Sequence, residues 1–210
     1  MKHPPMPRRA ALAAALDNAL QADPQALAAL GRQVQALRAE VALLRARLAE
    51  AEDLADADVL APVLNRRAFV RELERALAAL ERYGGHVALI YFDLDGFKAV
   101  NDRFGHAAGD EALKAAAARL LSRVRRSDVV GRLGGDEFAV LLDRTGSAAA
   151  RTKARALKRA VEAEPVRAGT ADIWLKASWG ASELRVGASP EQSLAEADAA
   201  MFLNKPGRSS

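Results

Sequence analysis

Apolar residues near the start of the chain recur at alternating steps of three and four: Leu27, Leu30, Val34, Leu37, Val41, Leu44, Leu48 and Ala51. This is the spacing of a and d positions in a heptad repeat. Asp23-Pro24 supplies an N-cap and a proline at the first helical position, so a long helix is expected to begin there. β-Branched Val34 and Val41 at a, with Leu30, Leu37 and Leu44 at d, suit a parallel two-stranded coil. With Leu27 as a, Glu40 at g would face Arg45 at the following e, and Arg47 at g would face Glu52. The alternative is a single long helix packed on its own domain. Ahead of it, Arg9 to Ala22 reads as a short helix after a proline-containing start.

The period changes beyond the acidic stretch Glu52 to Asp58. Pro62 interrupts helix, and Asn65 caps a helix predicted to run to Tyr83 with Phe69, Leu73, Leu77 and Leu80 inward; Gly84-Gly85 ends it. Val87 to Phe92 is a continuous apolar run, as in a central strand buried on both faces. Next come a short helix Phe97 to Asp102 and a long one Glu111 to Arg125, with Leu113, Ala117, Leu120, Leu121 and Val124 inward. Asp128-Val129-Val130 and Phe138 to Leu142 flank Gly134-Gly135, which reads as the turn of a hairpin. A helix Ser147 to Glu164, strands Ala171 to Ser178 and Trp179 to Leu184, and a helix Pro190 to Asn204 complete the pattern. The alternation predicts an α/β class chain, an α+β sandwich of ferredoxin-like type. Its parts are an N-terminus (1–23), a dimerisation helix (24–57) and one domain (58–210).

Composition narrows this modestly. A hydrophobic share of 50% with 5% aromatics gives a core built from Ala, Leu and Val. No cysteine is present, which excludes disulfides and thiolate metal sites and fits a reducing compartment. The net charge of +4 comes from 31 basic and 27 acidic residues interspersed along the chain, so no nucleic-acid partner is indicated. No apolar run reaches the length of a membrane span, and Asp17 and Asn18 interrupt the one signal-like stretch. The expected location is the cytoplasm, without a membrane partner.

The candidate chemistry lies at turns. Asp93 ends the central strand, and Asp136 and Glu137 sit at the hairpin tip, where glycines let a ligand approach the backbone. Such carboxylates suit a hard cation bearing phosphate. Read alone, Asp136 and Glu137 could be an ordinary solvated turn, Asp95 a cap for the turn that follows, Asn101 and Asp110 helix caps, and Arg125 and Asp128 a surface ion pair. His106, Trp179 and Phe104 are read as structural, the two aromatics in the core.

Taken together, Gly134-Gly135-Asp136-Glu137-Phe138, Tyr91 to Lys98, Asn101 to His106 and Gly109-Asp110 stand in the order of one family. From about Asp58 to Arg208 the chain resembles the GGDEF family of diguanylate cyclases, whose fold is similar to the palm of nucleotide cyclases and polymerases. The resemblance implies that two domains, each presenting one GTP, form cyclic di-GMP and pyrophosphate. It implies Asp93, Asp136 and the Leu94 carbonyl as ligands of two Mg²⁺ or Mn²⁺ ions, with Glu137 in support. It implies Asn101 and Asp110 as readers of guanine, Lys98, Lys205 and Arg208 as triphosphate contacts beside Gly134 and Gly135, and Arg125 with Asp128 as an inhibitory product site. A non-catalytic cyclic di-GMP receptor is the alternative. The chain departs from the family pattern at Leu60-Ala61-Pro62-Val63, where Leu-Thr-Gly-Leu is usual, and at the shortened Lys205-Pro206-Gly207-Arg208.

Overall fold

A computed structural model describes residues 24–205, and the chain divides after Leu54 into two compact units. The expected helix Arg9 to Ala22 and the expected contact of Arg208 lie outside the described residues. Helix α1 (Pro24–Asp56) is continuous over 33 residues. Along its heptad stripe Val34, Leu37, Val41 and Leu44 are 39%, 54%, 45% and 56% exposed in the single chain.

The second unit runs α2 (Arg66–Tyr83), β1 (Ala88–Leu94), α3 (Phe97–Phe104), α4 (His106–Leu121), β2 (Val129–Gly134) and β3 (Glu137–Leu142). It continues with α5 (Ser147–Glu162), β4 (Val166–Ala168), β5 (Ala171–Ile173), β6 (Ala177–Glu183) and α6 (Pro190–Leu203). Four strands form one antiparallel sheet in the order β2-β3-β1-β6, the ferredoxin-like order. Side chains alternate across β1. Ile90 and Phe92 join Leu113, Leu120 and Leu157 of α4 and α5, whereas Leu89 and Tyr91 join Phe69, Leu73, Leu194 and Met201 of α2 and α6. The crossover helices therefore cover one face and the flanking helices the other, which makes three layers and explains the unbroken apolar run of β1.

Several boundaries differ from expectation. The strand predicted over Ala171 to Ser178 is divided: Ala171–Ile173 is β5, paired with β4 in a small hairpin closed at Gly169 and Thr170, whereas Ala177 and Ser178 belong to β6 with Trp179. Helix α4 begins at His106, five residues before the expected Glu111, because Gly105 at φ +84° ends α3 and opens the next helix at once. It also stops at Leu121, which is 37% exposed instead of inward. Phe104 is 37% exposed and lies under the Arg103 guanidinium at 5.0 Å, so it is not core. Trp179 is half-buried against the core, and His106 is exposed.

At the start of α6, Ser189 and Gln192 form a reciprocal capping box ahead of Pro190 at the first position. Replacing Ser189 with Ala should cost about 1 kcal/mol in urea unfolding, and replacing it with Gly only a few tenths.

Candidate active site

The centre of the site is set by backbone register. Strand β1 pairs with β3 so that Asp93 lies opposite Glu137, and the Leu94 N–H donates to the Asp136 carbonyl at 3.2 Å. Asp136 occupies the two-residue turn between β2 and β3, where Gly135 alone takes a positive φ, +39°; Gly134 remains in the strand. The hairpin thus places Asp136 beside the end of the neighbouring central strand. Burial and then the charge of Asp93 push the Asp136 carboxyl up from its ordinary value, against its own backbone N–H, Lys205 and Arg132.

Two neighbouring carboxylates, Asp93 and Asp136, with the Leu94 backbone adjacent, make a fitting seat for a hard divalent cation. Among the described residues no group of three or more His, Cys, Asp or Glu is gathered to hold a metal, so oxygen ligands beyond these must come from elsewhere. Lys205, at the end of α6, donates to Asp93 at 2.7 Å, and this bond raises the pKa of the lysine. The expected phosphate contact is therefore held on a carboxylate in this structure. Glu137 is turned to another partner: Tyr91, buried at 7% exposure, donates its hydroxyl to it, and burial together with the Glu137 charge pushes the phenol above its ordinary range. Asp95 does not cap a helix. Its carboxylate accepts from Ser178 at 2.8 Å and its N–H donates to the Lys176 carbonyl, tying the end of β1 to β6.

Asn101 and Asp110 are likewise not caps, since both lie inside helices, α3 and α4. They are brought together by Gly109: a Cβ there would stand 1.9 Å from Asn101 Oδ1 and 3.2 Å from the Phe97 ring. Only glycine lets the two helices approach so closely, and the residue after it is Asp110. An amide and an exposed carboxylate beside it can read the donor–acceptor edge of a purine. Lys98, exposed on the first turn of α3, is available to an anion.

The sequence reading passed over Arg132. Its guanidinium donates to the Gly135 carbonyl through Nε at 2.9 Å and Nη2 at 2.7 Å, and through Nη1 to Asp58 Oδ1 at 3.1 Å. Asp58 in turn accepts from Leu60 and Ala61 N–H at 3.0 and 2.9 Å, and its own N–H donates to Val63. The departure at Ala61-Pro62 therefore leaves the turn closed, with Pro62 exposed. An arginine two residues before the glycine pair was the available signal.

Arg125 and Asp128 do not form an ion pair with each other. The Asp128 carboxylate accepts from the Arg125 backbone N–H at 2.9 Å and from Asp143 N–H at 3.4 Å, closing a turn. Both line a cavity of about 500 Å³ whose floor is Leu142, Ala148, Ala149 and Ala156, with Lys153 and Thr152 on α5 facing them. Lys153 and Thr152 were also missed, because α5 reads as a uniformly basic helix.

A family profile described as diguanylate cyclase, GGDEF domain, matches residues 55–209. Diguanylate cyclase DgcP of Pseudomonas aeruginosa is 33% identical over 179 residues, covering 85% of this chain and 27% of that protein. Diguanylate cyclase VdcA of Vibrio cholerae is 34% identical over 179 residues, covering 84% of this chain and 52% of its own. The chain thus spans about a quarter to a half of the length of these relatives. Among solved structures, the coiled coil and GGDEF domain of DgcB from Caulobacter crescentus in complex with c-di-GMP superposes with a TM-score of 0.71 at 28% identity, covering 82% and 92% of the two chains. Diguanylate cyclase SiaD with its activator SiaC from Pseudomonas aeruginosa gives 0.69 at 29% identity, covering 94% and 79%.

Arg132 and Asp58 are both largely buried, so a double-mutant cycle should read a coupling of about 0.5–3 kcal/mol between Arg132→Ala and Asp58→Ala in urea unfolding. Burial opposes ionisation of Asp58, but the Ala61 and Leu60 N–H groups and Arg132 outweigh it and hold its pKa below the ordinary 3.8. The coupling is accordingly present above that pH and should disappear as the pH falls through the lowered value. Additive single variants at neutral pH would show that the bridge contributes nothing.

Proposed function

The chain belongs to the GGDEF family of diguanylate cyclases, and from that we propose that it condenses two GTP molecules into cyclic di-GMP with release of two pyrophosphates. The observation that carries the reading is the placing of Asp136 at the end of β1, where Asp93 lies opposite Glu137 and the Leu94 N–H donates to the Asp136 carbonyl, together with the Asn101 contact at Gly109, next to Asp110. In each condensation a ribose 3′-oxygen of one GTP bonds to the α-phosphorus of the other, the α–β anhydride breaks, and the hydroxyl proton is lost.

Asp93, Asp136 and the Leu94 carbonyl would hold Mg²⁺ or Mn²⁺, two per half-site. The ions, when bound, supply charge neutralisation on the phosphates and a lowered pKa for the attacking hydroxyl. The chain's residues do the rest. Asn101 and Asp110 fix the guanine, and Gly134 and Gly135 leave the tip open to the triphosphate. Lys98 supports the phosphates with its charge, and Arg208 belongs with it. Lys205 balances the charge of Asp93, and its charge would also suit a phosphate bound there. Glu137, held by Tyr91, stiffens the strand end behind Asp136. Catalysis here is chiefly positioning and charge.

One domain presents one GTP, so turnover needs a second copy. An apolar stripe left exposed along α1 fits a parallel homodimer through the coil, which raises the effective concentration of the paired domains. The cavity of Arg125 and Asp128 fits cyclic di-GMP as an inhibitor, since an arginine fork can bind guanine's acceptor edge or a phosphodiester. Among the described residues no helix is long and apolar enough to cross a membrane. With GTP as substrate, the cytoplasm is the location this reading assigns.

Purified protein given GTP and Mg²⁺ should yield cyclic di-GMP. Asp136→Ala and Asp93→Ala should each lower the rate by about 10³-fold, roughly 4 kcal/mol of barrier. A well-folded dimer that makes no product would sink the proposal and favour the receptor reading. Mn²⁺ at about 100 times its Kd should also stabilise the protein by about 2.7 kcal/mol at neutral pH. That gain should shrink as the pH falls through the raised pKa of Asp136, because the protonated carboxyl is no ligand. In Asp136→Asn the metal-dependent shift in melting temperature should be absent.

A further inference from the structure

Charge is interspersed along the chain as a whole but not along α5, which carries Arg151, Lys153, Arg155, Lys158 and Arg159 against the single acid Glu162. Arg151, Arg155, Lys158 and Glu162 follow at steps of four, three and four, so they share one flank of the helix. That flank runs beside the start of β6: Lys158 Nζ donates to the Ala177 carbonyl at 2.7 Å, and the Ala177 N–H donates to Glu162 at 3.0 Å. The cavity of Arg125 and Asp128 opens on the other flank, at Thr152, Lys153 and Ala156.

The chain leading into Ala177 alternates in burial. Ile173 and Leu175 are each 3% exposed, which turns Trp174 and Lys176 outward, the indole at 61%. Among the described residues Trp174 makes no ring contact, and Arg151, Arg155 and Lys176 make no ion pair or side-chain hydrogen bond. Two nearby acids are already matched: Glu162 lies 3.4 Å from Lys158, and Asp172 lies 3.4 Å from Arg167. Glu164, past the end of α5, is exposed. A lone exposed aromatic or a lone arginine is ordinary surface. Here three unmatched cations stand with an indole that its buried neighbours hold outward, on one side of a helix and the strand beside it.

We propose that this side, Arg151, Arg155, Trp174 and Lys176, is a docking surface for an anionic lipid bilayer. Each Lys or Arg close to an anionic leaflet strengthens binding about fivefold, so the three cations together give about a hundredfold. The indole adds an apolar body with one polar N–H, which suits the level of the headgroups. Single-stranded nucleic acid takes successive aromatic platforms along a cationic groove, and this side presents one aromatic.

Co-sedimentation of the full chain with vesicles tests this. Phosphatidylcholine vesicles should leave the protein in solution. Vesicles of phosphatidylglycerol and phosphatidylcholine in equal parts should carry it down, less so as salt rises. Arg151→Gln/Arg155→Gln/Lys176→Gln should bind the anionic vesicles about a hundredfold more weakly. Arg82→Gln/Arg126→Gln/Arg144→Gln removes the same charge from exposed positions elsewhere and should bind nearly as wild type does. The chain has two tryptophans, so fluorescence reads the indole. Anionic vesicles should shift the wild-type emission to the blue, and Trp174→Phe, which leaves Trp179 alone, should show no shift. No binding to anionic vesicles, equal binding to both kinds, or equal loss in the two triple variants would overturn the proposal. So would tighter capture of a single-stranded oligonucleotide or of polyglutamate through the same three cations, since the partner would then be a nucleic acid or an acidic protein.

Discussion

A half-buried carboxyl, Asp136, is held by the backbone within reach of the charge of Asp93, and the rest of the domain is arranged around that constraint. Asp93 cannot move away because β1 is locked between β3 and β6 by its backbone ladder. Asp136 cannot move away because its carbonyl accepts from Leu94 and the preceding Gly135 carbonyl is gripped by Arg132. Such a pair is costly in the fold unless a positive charge joins it, and Lys205 provides one. The lysine is a counter-ion on a helix end, reached only because α6 packs across the sheet next to β6. A divalent cation between the same carboxylates would remove the need for it. An ion held as proposed would relieve a cost already present in the fold.

Arg132 extends that constraint outward. The same guanidinium that fixes the turn also fixes Asp58, the residue around which the first turn of the domain closes. Leu64 adds backbone bonds on either side, accepting from Arg132 N–H at 2.8 Å and donating to Val130 at 3.1 Å. A displacement of residues 58 to 64 is thus felt at the tip of the hairpin through one side chain and one strand. Asn101 and Asp110 are isolated from that connection, since their placing comes from the contact of α3 with α4 at Gly109. The placing of Asn101 and Asp110 and the stiffness of the Gly135-Asp136 turn rest on separate contacts.

The sequence made legible whatever was periodic or locally punctuated. The heptads of α1, the apolar run of β1, the hairpin at Gly134-Gly135 and the Asn65 cap of α2 all depend on residues within a few positions of one another. What was illegible depends on partners far along the chain. Asp95 looked like a cap because its true partner, Ser178, is 83 residues away. The bond of Lys205 to Asp93 could not be read because Asp93 is 112 residues before it. Phe104 was assigned to the core for being aromatic, yet a short helix flanked by Gly96 and Gly105 turns it outward. At Asn101 and Asp110 the residue types pointed to caps, and Gly105 overrode them by letting one helix follow another without a loop.

The strands also set how an effector could act. Arg125 and Asp128 precede β2, whereas Asp136 follows it, so the strand Val129–Gly134 separates the two sites. Six residues of extended chain span roughly 17–20 Å. A ligand in the cavity of Arg125, Lys153 and the alanines of α5 would thus lie a strand's length from Asp136. Leu142, at the far end of β3, forms part of its floor, and Phe138 and Val140 on the same strand are fully buried. A strand packed so tightly transmits little bending. Inhibition from that cavity, on the proposed reading, would work on the placement of the whole domain, through the meeting of two domains that the proposed reaction needs.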